Sequence, residues 1–404
     1  MTEPLAGRRV ALGVTGSIAA YKALWLASRL TQAGALVDVL LTAPAARLVR
    51  PLAFQALTHR PVVASLWSPT GPMAMDHVAV AGAADALVVA PATADILARL
   101  ALGRADDALT ATALATVAPL LVAPAMEPRM WSHPATRANV ATLRERGATI
   151  VGPASGRLAS GAEGEGRMVE PDEILEHVRL VLASGGPLAG RRLVVTAGPT
   201  REPIDPVRYL SNHSSGRMGY AVALEARNRG ADVVLVAGPV GLDSPLGVRT
   251  VPVETAAQMH AAVLEHVGGA DALVMTAAVA DYRPAEPRGA KMKKADASLV
   301  LTLAPNADIL ADLARRADEF PALRIGFAAE TDDFVANAVA KRQRKGLDLV
   351  VANAVPESFG GDHARAALVD ETGVFDLGTQ SKADVAVAIL DWVSARISSA
   401  PRSP

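Results

Sequence analysis

The stretch Gly198-Pro199-Thr200-Arg201-Glu202-Pro203-Ile204-Asp205-Pro206-Val207-Arg208-Tyr209-Leu210-Ser211-Asn212-His213-Ser214-Ser215-Gly216-Arg217-Met218-Gly219 decides how this chain is read. An apolar run, Leu193-Val194-Val195-Thr196, precedes it, and an apolar helical pattern, Tyr220-Ala221-Val222-Ala223-Leu224, follows. A polar, glycine-punctuated loop between a buried strand and a helix is where open α/β sheets bind ligands. Ser214, Ser215 and Gly216 offer hydroxyls and backbone N–H groups at a helix N-terminus, which suits an anion such as a phosphate. The competing reading is an ordinary connection capped by serines. Such connections usually run about 2–6 residues, and longer ones tend to carry function.

Outward from this loop the same grammar recurs. Leu188-Ala189-Gly190-Arg191-Arg192-Leu193 is echoed by Leu5-Ala6-Gly7-Arg8-Arg9-Val10, and each opens a strand that runs into a glycine-containing loop and a helix. Between them Ser184-Gly185-Gly186-Pro187 is a run of turn formers. The expected organisation is a domain over 1–183, a linker over 184–190 and a second domain over 191–404. Strands are expected at Val10–Val14, Val37–Leu41, Ala86–Ala90 and Pro119–Ala123, with a helix over Ala19–Leu30. In the second half they are expected at Arg191–Thr196, Asp232–Ala237, Ala272–Thr276, Leu323–Ala328 and Leu349–Ala352, with a hairpin turn at Asp370-Glu371-Thr372-Gly373. Apolar runs alternating with helices indicate parallel sheets. The fold class is therefore α/β, two doubly wound Rossmann-like domains, the first of flavodoxin-like kind.

Composition sets bounds on function. The chain has 404 residues, half of them apolar, and a net charge of −1. It has ample core and lacks the basic excess of a nucleic-acid binder. No apolar run is long enough to span a membrane, and the N-terminus has no signal-peptide core, so cytoplasmic residence is expected. The absence of cysteine excludes disulfides, thiolate metal sites and a cysteine nucleophile.

The block from Gly198 to Gly219 resembles the signature of the phosphopantothenate–cysteine ligases, the C-terminal half of the bifunctional coenzyme A biosynthesis flavoproteins. Further segments resemble that family in order: Thr276-Ala277-Ala278-Val279-Ala280-Asp281-Tyr282, Lys291-Met292-Lys293-Lys294, Pro305-Asn306-Ala307-Asp308-Ile309, Gly326-Phe327-Ala328-Ala329-Glu330-Thr331 and Lys341-Arg342-Gln343-Arg344-Lys345. The resemblance implies that Asn212 and Lys291 serve formation and consumption of an acyl-cytidylate. It implies that Ser214, Ser215, Gly216, Met275, Thr276, Ala277, Asp281, Asn306, Ala307, Asp308, Ile309, Phe327, Lys341 and Lys345 bind substrate, chiefly CTP. On chemistry alone, Lys291, Lys341 and Lys345 can converge to neutralise a leaving pyrophosphate. Lys341 and Lys345 are i,i+4 and share a helix face, although a solvated basic helix end is the usual reading of such a pair. Asp281 can hold nucleotide or Mg²⁺, with a structural cap as the alternative. The residues leave CTP and ATP open.

The N-terminal half carries Gly13-Val14-Thr15-Gly16-Ser17-Ile18-Ala19-Ala20-Tyr21-Lys22 at its first strand–helix turn. This lacks the third glycine of a dinucleotide fingerprint, yet Gly16 and Ser17 can cradle one phosphate; a plain turn is equally open. Pro91-Ala92-Thr93-Ala94-Asp95 and Pro124-Ala125-Met126-Glu127-Pro128 follow later strands, and Met75-Asp76-His77-Val78 precedes an apolar stretch. Together these resemble the flavin-containing cysteine decarboxylases. That resemblance implies FMN held by Gly16, Ser17, Ile18, Thr42, Ala92, Thr93 and Ala94, with His77 as catalytic base. It places Met126 and Glu127 over the substrate and Ser160 on a flap. The family pattern has asparagine where this chain has Glu127, and cysteine where it has Ser160. A serine hydroxyl is a far weaker acid than a thiol.

The expected function is coenzyme A biosynthesis: ligation of 4′-phosphopantothenate to cysteine with CTP and Mg²⁺, then FMN-dependent decarboxylation to 4′-phosphopantetheine. The resemblance further implies a homo-oligomer whose flavodomain sites are shared between subunits. No metal ligands are assigned. The alternatives are an active ligase fused to a silent flavodomain, and a nicotinamide oxidoreductase, which the missing G-x-G-x-x-G argues against.

Overall fold

A strand covered by helices on both sides has no polar face to present, so the continuous apolar runs become inner strands of mostly parallel sheets. The computed structural model describes residues 5–67, 76–293, 299–316, 320, 323–330, 333–354 and 361–399; Met75, Lys294 and Thr331 of the motifs above lie outside them. The chain divides into two units, Met1–Leu182 and Ala183–Pro404.

The first unit runs β1 (Arg9–Val14), α1 (Ala20–Gln32), β2 (Leu36–Leu41), α2 (Ala43–Leu48), α3 (Pro51–Thr58), β3 (Val62–Val63), α4 (Asp76–Ala83), β4 (Ala86–Ala92), α5 (Ala94–Ala101), α6 (Ala108–Ala115), β5 (Leu120–Pro124), α7 (Pro128–Ser132), α8 (Pro134–Glu145), β6 (Thr149–Ile150), β7 (Ala154–Arg157), β8 (Glu163–Arg167) and α9 (Pro171–Ala183). Its parallel sheet has the order β3-β2-β1-β4-β5-β6. Within the doubly wound class this is the dinucleotide-binding arrangement, with its switch point between β1 and β4. Side chains alternate between two cores: Val10, Leu12 and Val14 join one buried cluster, while Ala11, Leu40 and Leu87 join the other.

The second unit runs β9 (Arg192–Ala197), β10 (Arg201–Pro203), β11 (Tyr209–Ser211), α10 (Arg217–Asn228), β12 (Asp232–Ala237), β13 (Arg249–Pro252), α11 (Ala256–Val267), β14 (Ala272–Met275), β15 (Tyr282–Pro284), β16 (Leu303–Pro305), α12 (Ile309–Arg315), β17 (Leu323–Glu330), α13 (Phe334–Lys345), β18 (Leu349–Ala354), β19 (His363–Val369), β20 (Val374–Ser381) and α14 (Lys382–Ser399). Its sheet has the order β13-β12-β9-β14-β17-β18-β19-β20, with the switch point between β9 and β14. The last two strands pair antiparallel, joined by the expected turn at Asp370–Gly373, where the Asp370 N–H donates to Gly373 O at 3.1 Å. The Asp370 carboxylate also accepts from the Trp392 Nε1–H and from Arg396, both at 2.8 Å, which fastens the hairpin to α14. Burial opposes its ionisation, but hydrogen bonds from Thr372 and Trp392 and the Arg396 charge outweigh that and hold its pKa at about 2.

Three two-stranded ribbons, β7–β8, β10–β11 and β15–β16, are absent from the sequence reading. Their strands are three to five residues long and all but β11 bear glycine or proline, so no period-two pattern announces them.

Candidate active sites

In the first unit β1, β2 and β4 are neighbours and run parallel. The residues just past their carboxyl ends therefore share one edge of the sheet: Gly16 to Ile18 after β1, Thr42 after β2, and Ala92 to Ala94 at the end of β4. Thr42 and Thr93 cap α2 and α5, accepting from the Ala45 and Ile96 N–H groups. The Thr15 hydroxyl donates to Pro91 O at 2.6 Å and accepts from the Thr93 N–H at 3.3 Å, tying the two loops across the switch point. At Gly16 a Cβ would lie 2.4 Å from the Pro44 side chain, so only glycine lets the turn pass there. This glycine-serine turn at a helix N-terminus, between threonine-capped loops at a switch point, fits a flavin phosphate.

A cavity of about 610 Å³ lies beside this edge, lined by Ser17, Ile18, Lys22, Met126, Glu127 and Ser160 among others. Gly16, Thr42 and Ala92–Ala94 are not part of its lining. Its outer wall is the β7–β8 ribbon. The Met126 N–H donates to Gly166 O at 2.9 Å, and a Cβ on Gly166 would lie 2.3 Å from Met126 O. Ser160 sits in the ribbon's turn, closed by Gly161 N–H to Leu158 O at 2.9 Å and Leu158 N–H to Ala162 O at 2.8 Å. Glu127 is the N-cap of α7, its carboxylate accepting from the Arg129 N–H at 2.8 Å. An asparagine can make the same bond, which accounts for acceptance of the exchange. Lys22 is a lone cation among the buried alanines and leucines of α1. Its side chain is only 9% exposed, and its ammonium donates to Met168 O at 3.1 Å and to Glu170 at 2.9 Å; the bond to Glu170 holds that carboxyl below its usual range.

His77 stands apart. It lies in the first turn of α4 and lines a different opening of about 600 Å³ with Trp67, Ala111 and Leu114. Within one chain the histidine and the Ser160 flap thus serve separate cavities.

In the second unit the loops after β9 and β14 are zipped together. The Ala278 N–H donates to Gly198 O at 3.0 Å, the Thr200 N–H donates to Ala278 O at 3.2 Å, and the Ala280 N–H donates to the Thr200 hydroxyl at 3.0 Å. Gly216 caps α10 with a φ of 76°, left-handed backbone that favours glycine. At Gly219 a Cβ would lie 2.5 Å from the Thr276 hydroxyl, so α10 docks directly on the switch point.

Two cavities open there, of about 300 and 400 Å³, sharing Ala277, Val279, Asp281, Phe327 and Lys341 as common wall. Ser214, Ser215, Gly216 and Thr276 line the first; Met275, Asn306, Ala307, Asp308, Ile309 and Lys345 line the second. They are two lobes of one groove. Lys341 donates to Phe327 O at 2.7 Å, and Lys345 pairs with Asp308, which also caps α12. The two lysines share a face, as their spacing requires. Asn306 donates to Ala280 O at 2.8 Å, holding the second lobe's rim to the β14 loop.

Lys291 does not converge with Lys341 and Lys345: it is exposed and lines neither lobe. Asn212 also lies outside the lining, its amide donating to Ala278 O at 2.9 Å. What anchors the Lys291 segment is Asp205, to which the sequence alone gives no role. Its fully buried side chain accepts from the Val207, Arg208 and Met292 N–H groups at 2.8, 2.9 and 3.1 Å and from the Arg208 guanidinium at 2.6 Å. Arg208 in turn donates to Met292 O at 2.8 Å. Burial opposes ionisation of Asp205, yet these donors hold its carboxyl far below the usual range.

Two family models match the chain: Flavoprotein over residues 1–182 and DNA/pantothenate metabolism flavoprotein C-terminal domain over 188–397. The coenzyme A biosynthesis bifunctional protein CoaBC of Mycobacterium tuberculosis (strain ATCC 25618 / H37Rv) is 50% identical over 364 residues, 87% of each chain. That of Vibrio cholerae serotype O1 is 42% identical over 396 residues, 97% of this chain and 99% of the other. A crystal structure of the C-terminal domain of coenzyme A biosynthesis bifunctional protein CoaBC shares 39% identity at a TM-score of 0.46, covering 53% of this chain and 100% of that one. With a flavoprotein domain followed by a pantothenate-metabolism domain, and relatives this similar along nearly its whole length, the chain belongs to the CoaBC family of bifunctional coenzyme A biosynthesis enzymes.

Proposed function

We propose that the second unit joins 4′-phosphopantothenate to cysteine using CTP, and that the first decarboxylates the product to 4′-phosphopantetheine with FMN. The observation that carries the ligase reading is the bilobed groove at the β9/β14 switch point. One lobe opens on the N-terminus of α10 with two serines and Arg217; the other is walled by Asn306, Asp308, Phe327 and Lys345. An anionic chain with a planar base at one end matches that division. The phosphopantothenate carboxylate attacks the α-phosphate, pyrophosphate leaves, and the cysteine amine then displaces CMP. Asp281, on the wall common to both lobes, is the carboxylate that would hold Mg²⁺, which would neutralise the triphosphate's charge. Asn212 and Lys291 act on the acyl-cytidylate, the latter presented by the Asp205–Arg208 clamp.

In the first unit the residues of the β1/β4 edge hold FMN, which when bound supplies the electron sink for loss of CO₂. His77 transfers the proton, and the β7–β8 ribbon shields the substrate from water. Because His77 and Ser160 line different cavities, a second copy of the chain is needed to bring them to one substrate. Exposed apolar side chains lining each cavity support this: Trp67 and Leu114 are 88% and 63% exposed, and Ile18 and Tyr21 67% and 63%. The assembly works in the cytoplasm, and among the described residues no helix is long and apolar enough to cross a membrane.

The test is incubation of the flavin-loaded protein with phosphopantothenate, cysteine, CTP and Mg²⁺, with products followed by mass. Phosphopantothenoylcysteine followed by phosphopantetheine is the expected sequence. Accumulation of the first product alone would return the flavodomain to a silent role; absence of both would sink the reading.

A further inference from the structure

We infer that Lys382, with Arg217, forms a subsite in the first lobe of the ligase groove for the pyrophosphate end of the nucleotide; this rests on the ligase reading above. Lys382 is the first residue of α14, the position where the helix dipole disfavours a cation. It is only 8% exposed, yet among the described residues no carboxylate lies within ion-pair distance of its ammonium. Its acceptor is Gly361 O at 2.6 Å, which uses one of three donors. A buried ammonium held by one backbone carbonyl is costly unless another partner completes it.

The surroundings point to an anion as that partner. Lys382 lines the same lobe as Ser214, Ser215, Gly216 and Arg217, where α10, a helix of 12 residues, begins. Two helix N-termini, a guanidinium and an ammonium therefore bring positive potential to one cavity. Arg217 pairs with Asp362, but that carboxylate is 79% exposed and offsets little. Burial, and next the repulsion from Arg217, lower the Lys382 pKa; an anion between the two cations relieves that repulsion. Ser214, Ser215 and Arg217, at the N-terminus of α10, line this lobe alone, so the end of the nucleotide reaching Lys382 is the phosphate end.

The experiment uses the full-length protein and its Lys382→Gln and Lys382→Arg variants. Each is titrated by calorimetry with inorganic pyrophosphate, with CMP and with 4′-phosphopantothenate. Lys382→Gln should weaken pyrophosphate about tenfold, the worth of one charge-assisted hydrogen bond, and leave CMP within about twofold, while Lys382→Arg keeps most of the affinity. Unchanged pyrophosphate affinity, equal losses for pyrophosphate and CMP, or a loss confined to 4′-phosphopantothenate would each overturn the inference. Should Lys382→Gln not fold, Lys382→Arg and Arg217→Gln carry the test: pyrophosphate binding indifferent to Arg217→Gln counts against the subsite. Failure of the ligase reading is visible separately, as wild-type protein that binds pyrophosphate but makes no phosphopantothenoylcysteine.

Discussion

In the proposed decarboxylation His77 and Ser160 divide the work unequally. An imidazole exchanges protons near neutral pH, whereas a serine hydroxyl needs an adjacent base to do so. His77→Asn is expected to lower CO₂ release by about a hundredfold or more while FMN stays bound, and Ser160→Ala to keep much of the wild-type rate. Single-turnover conversion of phosphopantothenoylcysteine by each flavin-loaded variant decides both; a collapse of Ser160→Ala would show that serine has taken over the flap role. In the other half the residue to watch is Asp205. It touches neither lobe of the groove, so it acts by holding the Lys291 segment. Asp205→Asn should lower the ligation rate about tenfold through misplacement with CTP affinity within twofold, read as a split between kcat and KM. Equal loss of both would mean that the loop merely unfolds.

At the scale of elements, the β7–β8 ribbon depends on one close approach. Gly166 lies against Met126 O, and a Cβ there must push ribbon and loop apart. Gly166→Ala should cost decarboxylation about a hundredfold and leave ligation untouched; parallel assays of the two activities on one preparation check this. The β19–β20 hairpin is fastened to α14 by Asp370, whose carboxyl is held at about 2 against an ordinary value of 3.8. A folded-state pKa below the unfolded one contributes stability that is fully present above the unfolded value and lost as pH falls through the folded one. The wild type should therefore lose stability between about pH 4 and pH 2, and Asp370→Asn, weaker at neutral pH, should show a shallower loss over that window. Denaturant midpoints at several pH values make the comparison; identical slopes would remove Asp370 as the cause.

For the whole molecule, each unit has its own two-faced core and its own cavities. A fragment of residues 183–404 should fold and form phosphopantothenoylcysteine without the flavoprotein half. A soluble, folded fragment that lacks ligase activity would show that the second unit borrows residues from outside itself.

How far the chain could be read from its letters follows from the range of the interactions involved. Strands β1, β2, β4, β9, β12 and β14 are apolar runs bounded by turn formers, and burial on both faces is written locally in each, so their order of appearance and the α/β class were legible. So were the motifs at their carboxyl ends, because a sheet of this topology collects those ends on one edge. The placement of individual side chains was not. Asp205 meets Met292 across 87 positions, and no local pattern distinguishes that carboxylate from an ordinary turn aspartate. No local pattern singles out Lys382; the packing of α14 against α10 is what buries it. Lys291 shares a charge with Lys341 and Lys345 but not their groove. Local periodicity determined which segments are buried; only the packing of distant segments decided which polar groups were buried with them, and those groups, held out of water, fix the loops that carry the candidate sites.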